Sequence, residues 1–270
     1  MSPRSFRKFV APARQIPFRK GVAILPSLFT VANMFCGYYA IILGFKHAFE
    51  WAVTLIVIAG ILDSLDGRIA RMTGTTSDFG KELDSLSDFL SFGLAPALVL
   101  YHWGFKDLGR TGWLFAFLLP VAGAMRLARF NVQAEIADKK NFVGLPIPAA
   151  AAAAVLPLYF LPAGLPEAYK LLALLYVVLL SFLMVSRVKY RSFKELDLRA
   201  RRSPKVIFLQ ALLLILVAWH PPFVLLTVAV VYASSGPVVM AWERIRPPRA
   251  VAAEGGPGPM EEEEDGEVGP

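Results

Sequence analysis

The chain has 270 residues, 56% hydrophobic and 18% charged, with a mean hydropathy of +0.53; this excludes an ordinary soluble domain and points to repeated membrane spans. Its single cysteine, Cys36, excludes an intramolecular disulfide and a cysteine-built zinc site, and in its apolar run it reads as a buried, inert thiol. The net charge is +7, yet seven of the 21 acids lie at 254–270 with no base among them, so the remainder is strongly basic and suited to anionic headgroups, with no nucleic-acid partner.

Residues 1–21 form a basic segment with Arg4, Arg7, Lys8, Arg14, Arg19 and Lys20. They lack the short apolar stretch and small-residue cleavage site of a signal peptide. Eight apolar segments follow, at roughly 22–45, 49–72, 82–103, 111–131, 144–164, 168–187, 205–220 and 222–243. The fifth holds Pro146, Pro148 and Pro157 around a six-alanine run, which predicts a kinked helix able to pack closely. The seventh is short, and Pro221-Pro222 marks its turn into the eighth. Residues 22–243 therefore read as one membrane domain, an all-α polytopic bundle of about eight transmembrane helices. Residues 244–270, with Gly-Gly-Pro-Gly-Pro before an acid run, read as a disordered tail.

Bases crowd the N-terminus, the 132–143 loop and above all the 187–205 loop, while 46–48, 104–110 and 165–167 carry few. The positive-inside rule then places both termini, and the loop joining the second and third segments, in the cytoplasm. The expected location is the plasma (inner) membrane.

The loop between segments two and three is flanked by carboxylates. The sequence runs Asp63-Ser-Leu-Asp66-Gly67-Arg-Ile-Ala70-Arg71, then eight residues, then Gly80-Lys-Glu-Leu-Asp84-Ser-Leu-Ser-Asp88. On a helix, 63, 66, 67, 70 and 71 share one face, and Asp84 and Asp88 share one face of the next. An ionisable group at mid-bilayer costs about 2.5–3.5 kcal/mol on insertion scales, so four acids between apolar runs need a function. If the two faces meet, the carboxylates converge and repel unless cations bind between them. Hard oxygen ligands suit Mg²⁺ or Mn²⁺, and a diphosphate is the natural ligand for two such ions. Arg71 adds a fixed charge suited to phosphate. Gly67 and Gly80 leave the helix backbone open to a ligand or, equally, to a neighbouring helix.

This pattern, Asp-x2-Asp-Gly-x2-Ala-Arg-x8-Gly-x3-Asp-x3-Asp, resembles without a gap the signature of the CDP-alcohol phosphatidyltransferase family. The resemblance implies a six-helix core, a homodimer, and transfer of a phosphatidyl group from a CDP-linked lipid to an alcohol with release of CMP. It implies that Asp63, Asp66, Asp84 and Asp88 bind two divalent ions, Mg²⁺ or Mn²⁺, with Asp88 also the base. Gly67, Arg71, Ser77 and Gly80 match positions that hold the CDP-lipid. The family often carries Pro-Asn-x-x-Thr at the first span, and the resemblance implies that Ser27 and Thr30 also hold the CDP-lipid; here Pro26-Ser27-Leu-Phe-Thr30 departs from the pattern at Ser27 and keeps Thr30.

The acceptor is indicated by other stretches. Ile24–Gly37, Met125–Asn131, Gly144–Ala149 and Ser186–Lys194 look like the bacterial and archaeal membrane-bound phosphatidylserine synthases. That similarity implies CDP-diacylglycerol and L-serine as substrates. A serine carboxylate calls for an extra cation, and Arg126 and Arg129 stand one turn apart near the expected cytoplasmic end of segment four. The alternatives are a phosphorylated acceptor, glycerol 3-phosphate or inositol phosphate, and, in another class, a cation-coupled transporter. No internal repeat of the kind many transporters carry is visible.

Overall fold

A computed structural model describes residues 24–74, 77–134, 142–190 and 204–245. All eight predicted segments recur as helices. They are α1 (Ile24–Phe45), α2 (Phe49–Thr73), a third segment opening with α3 (Asp78–Asp88) and containing α4 (Ala95–Leu100), and α5 (Arg110–Ala134). After these come α6 (Ile147–Val155), α7 (Glu167–Val185), α8 (Pro204–Trp219) and α9 (Pro221–Ile245). The all-α expectation holds apart from a two-residue antiparallel ribbon, β1 (Phe142–Val143) on β2 (Lys189–Tyr190). The basic N-terminus, most of the two basic loops and the acidic tail lie outside the described residues.

Among the described residues, five helices are long and apolar enough to cross a membrane: Pro26–Phe45, Asp78–Leu108, Arg110–Val132, Glu167–Val185 and Pro221–Trp242. α2 has the length, at 25 residues, but carries Glu50, Asp63, Asp66, Arg68 and Arg71. α6 gives way after nine residues to a 3₁₀ turn, Leu156–Phe160, at the predicted Pro157 break. α8 has only 16 residues.

The third segment departs most from expectation. It starts at Asp78, four residues before the predicted edge, because the Ser77 side chain caps it by accepting from the Gly80 N–H at 3.0 Å. It also widens into two π-helical stretches, Phe89–Leu94 directly after Asp88 and Tyr101–Phe105. Such turns reset which residues face which neighbour, and they recur at functional sites.

α1 and α2 form a tight hairpin across residues 46–48, and small buried side chains line their contact: Ala40, Ala52 and Ala59. α3 and α4 then run parallel to α1. The Ser87 hydroxyl donates to the Thr30 carbonyl at 3.2 Å, and Ser91 donates to that of Asn33 at 3.0 Å. Gly37 makes this approach possible, since a Cβ there would lie 2.5 Å from Ser91 Oγ and 2.8 Å from Ser91 Cα. α5 packs on the first π stretch and on α7, while α6 fills the interior with Ala150, Ala151, Ala153 and Ala154, all buried. The outward-facing side chains are large and apolar, among them Leu171, Leu175, Phe182, Val231 and Val238. In water such a surface is a liability; in lipid it is the expected outer face.

Candidate active site

The two acidic faces meet. Carboxylate oxygens of Asp63 and Asp66 on α2 and Asp84 on α3 all lie within 4.8 Å of one another. Asp88, one turn further along α3, adds a fourth carboxyl group close enough to interact electrostatically with Asp63, Asp84 and Asp66. Asp66 is only 4% exposed, and Oδ1 of Asp88 is buried with no hydrogen-bond partner. Four carboxyl groups in this space repel one another, and nothing but oxygen is offered as a donor. That set fits a hard divalent cation and suits neither soft-metal nor histidine-zinc coordination.

Thr30 is placed against this cluster. Its hydroxyl lies 3.0 Å from Asp66 Oδ2 and 3.1 Å from the Pro26 carbonyl. Having one proton, it donates to one of them at a time. Thr30 thus reaches a carboxylate of the cluster from α1. Ser27 stands about one turn earlier on α1, half-buried.

Gly67 and Arg71 sit one turn apart on α2. A Cβ on Gly67 would have only Arg71 Nη1 within 4 Å, at 3.6 Å, so the backbone there is open beside an exposed guanidinium. Gly80 and Ser77 are tied to each other by the α3 cap. All four lie on α2 and at the start of α3, close to the turn that joins them, whose residues 75 and 76 lie outside the described residues.

The two arginines of α5 separate. Arg126 interacts electrostatically with Asp88 and with Tyr232 of α9, and its Nε is buried with no hydrogen-bond partner. Arg129 is committed elsewhere: its Nη1 donates to the Val185 carbonyl at 2.9 Å, at the C-terminal end of α7. The sequence reading did not single out Asn131, whose Nδ2 donates to Ser85 Oγ at 3.1 Å and ties α5 to α3.

Nor did it assign a role to Asn33. This residue is fully buried, 0% exposed, and neither Oδ1 nor Nδ2 has a hydrogen-bond partner. Burying a bare amide costs about 1–3 kcal/mol by mutational measure. The one available sequence signal is spacing, since Thr30, Asn33 and Gly37 fall on one face of α1.

With this geometry established, likeness to known proteins adds detail. Residues 23–188 match the family model described as CDP-alcohol phosphatidyltransferase. The CDP-diacylglycerol–serine O-phosphatidyltransferase of Helicobacter pylori strain 26695 is 41% identical over 178 residues, covering 64% of this chain and 73% of that protein. The Bacillus subtilis protein of the same name is 34% identical over 172 residues, 63% of this chain and 92% of the relative. The archaetidylserine synthase of Methanothermobacter thermautotrophicus is 38% identical over 168 residues, 62% and 69% respectively.

Proposed function

The chain belongs to the CDP-alcohol phosphatidyltransferase family, and from that premise we propose that it transfers the phosphatidyl group of CDP-diacylglycerol to L-serine, giving phosphatidylserine and CMP. The observation that carries this reading is the convergence of Asp63, Asp66 and Asp84, with Asp88 one turn further along α3. Relatives 34–41% identical to this chain are named for serine as acceptor.

Asp63, Asp66, Asp84 and Asp88 would hold two divalent cations, Mg²⁺ or Mn²⁺. When bound, such ions neutralise charge on the donor diphosphate and on the departing phosphate. The protein's own side chains do the rest. Thr30 keeps Asp66 in place from α1. Arg71 faces the diphosphate across the open backbone of Gly67, and the capped turn Ser77–Gly80 borders the cytidine side. Ser27, on the same rim of α1, lies on the donor side.

At phosphorus the reaction forms one bond and breaks one, and one proton moves. The serine oxygen bonds to the lipid-side phosphorus, the anhydride P–O bond breaks, and CMP leaves with that oxygen. The hydroxyl proton passes to Asp88. Arg126, with an uncommitted Nε beside Asp88, holds the serine carboxylate. Arg129 supports the same wall through α7.

The active site faces the cytoplasm of the inner membrane in this reading, supported by the basic loops on that side, so CMP leaves without crossing lipid. A homodimer belongs to the same proposal. The test is CMP release by purified protein in detergent with CDP-diacylglycerol and Mn²⁺ or Mg²⁺. Dependence on L-serine and abolition by EDTA are expected. CMP formed only with glycerol 3-phosphate or inositol phosphate would overturn the acceptor and keep the chemistry. No CMP with any acceptor would overturn the reading, and the transporter alternative would return.

A further inference from the structure

Asn33 lies at the junction of three helices, and the contacts around it fix its level. Thr30 against Asp66 sets the antiparallel register of α1 on α2. Three residues further along α1, Asn33 is therefore level with Asp63, three residues back along α2. The bonds Ser87 to Thr30 and Ser91 to Asn33 set the parallel register of α3 and its π extension on α1. Asp88 then lies less than one turn from Asn33 toward the N-terminal end of α1. Helical side chains lean toward their own N-terminus, so the Asn33 amide leans from below toward Asp63 and Asp88. One turn beneath it, the backbone contact of Gly37 with Ser91 closes the floor.

A fully buried amide at that place has no hydrogen bond through either of its polar atoms. Charged groups near its level among the described residues include the Asp63 and Asp88 carboxylates, with the Arg126 guanidinium interacting with Asp88. Above the cluster, Thr30 already supports Asp66 in the same manner from the same face of α1. We propose that Asn33 is a positioning residue of the carboxylate site, its amide hydrogen-bonding the Asp63–Asp88 pair from beneath when cations occupy the cluster. The proposal rests on the metal-site reading and adds to it a floor that the acidic signature does not contain. Groups that orient metal ligands in this way change affinity for the ion even when they never touch it.

The test uses the full chain in detergent, with Mn²⁺ as the probe, and two variants, Asn33→Leu and Asn33→Ala. Mn²⁺ binding is followed by titration calorimetry or by electron paramagnetic resonance of free Mn²⁺, and thermal unfolding is recorded in EDTA and in Mn²⁺. In EDTA, Asn33→Leu is expected to melt at or above the wild-type temperature, because it replaces an unbonded amide by an apolar group of similar shape. In Mn²⁺, both variants should bind about 10-fold more weakly and gain less thermal stability from the ion than the wild type. Mn²⁺ affinity within twofold of wild type would overturn the proposal. So would an Asn33→Leu protein that fails to fold, since the amide would then hold the metal-free structure together. If the wild type itself bound no Mn²⁺, the metal-site reading would fall first, and the two failures are thus distinguishable.

Discussion

The hydroxyl of Thr30 stands 3.0 Å from the carboxylate oxygen of Asp66, joining the first helix to the acidic face of the second across 36 residues of sequence. Asp66 is buried, so this bond is one of few that hold its orientation. Thr30→Val keeps the shape of the side chain and removes the donor. It should weaken Mn²⁺ binding about 10-fold, in line with the loss of a group that orients a metal ligand. CMP release at limiting Mn²⁺ should fall in proportion and recover at saturating Mn²⁺. A loss that no Mn²⁺ concentration restores would instead mean that Thr30 contacts the donor.

Asp88 occupies the inner end of the cluster, beyond the three carboxylates that converge most tightly. Asp88→Asn retains shape and removes the proton acceptor. Turnover should fall by about 10²–10⁴-fold, the usual worth of a positioned base, with CDP-diacylglycerol binding largely intact. Asp63→Asn and Asp66→Asn should lose both metal and donor binding. A fully active Asp88→Asn protein would remove Asp88 from the role of base.

Two glycines of the site region should separate packing from binding. At Gly37 an added methyl would meet Ser91 backbone and hydroxyl at 2.8 and 2.5 Å, so Gly37→Ala should cost about 1–3 kcal/mol by overpacking. It should lower the melting temperature of the protein in detergent. At Gly67 an added methyl would meet only Arg71 Nη1 at 3.6 Å. Gly67→Ala should melt within about 2 °C of wild type, and any defect should appear as a raised KM for CDP-diacylglycerol. The opposite pattern would place the donor elsewhere.

Much of this was legible because bilayer solvent writes plainly in sequence: eight apolar runs became eight helical segments, within a few residues at their edges. The acidic faces were legible for a similar reason, since the intervals 63–66 and 84–88 are helical intervals in both places. What escaped depends on departures from the regular period or on backbone partners. The π stretch after Asp88 breaks the 3.6-residue rule on which face assignment relies. Ser87 and Ser91 look like small packing residues until the Thr30 and Asn33 carbonyls are placed beside them. Ser77 read only as a donor contact, although Ser-Asp-Phe-Gly has the form of a helix cap. Nothing in the one-turn spacing of Arg126 and Arg129 says that one guanidinium is spent on a carbonyl of α7.

That division between the arginines gives the sharpest test of the acceptor. Arg129 binds the Val185 carbonyl, and Arg129→Met should therefore act on the fold. A charge-assisted bond to a helix C-terminus is worth about 1–2 kcal/mol, so the melting temperature should drop while the KM for serine changes little. Arg126 has no such commitment through Nε and interacts with Asp88. Arg126→Met should raise the serine KM about 10- to 100-fold, the worth of a bond to a charged group, and leave CDP-diacylglycerol binding near wild type. Arg126→Lys should recover only part of the loss, because an ammonium cannot present the paired donors that a carboxylate accepts from guanidinium. If Arg126→Met instead lowered kcat at unchanged serine KM, the guanidinium would be acting on Asp88 and not on the acceptor.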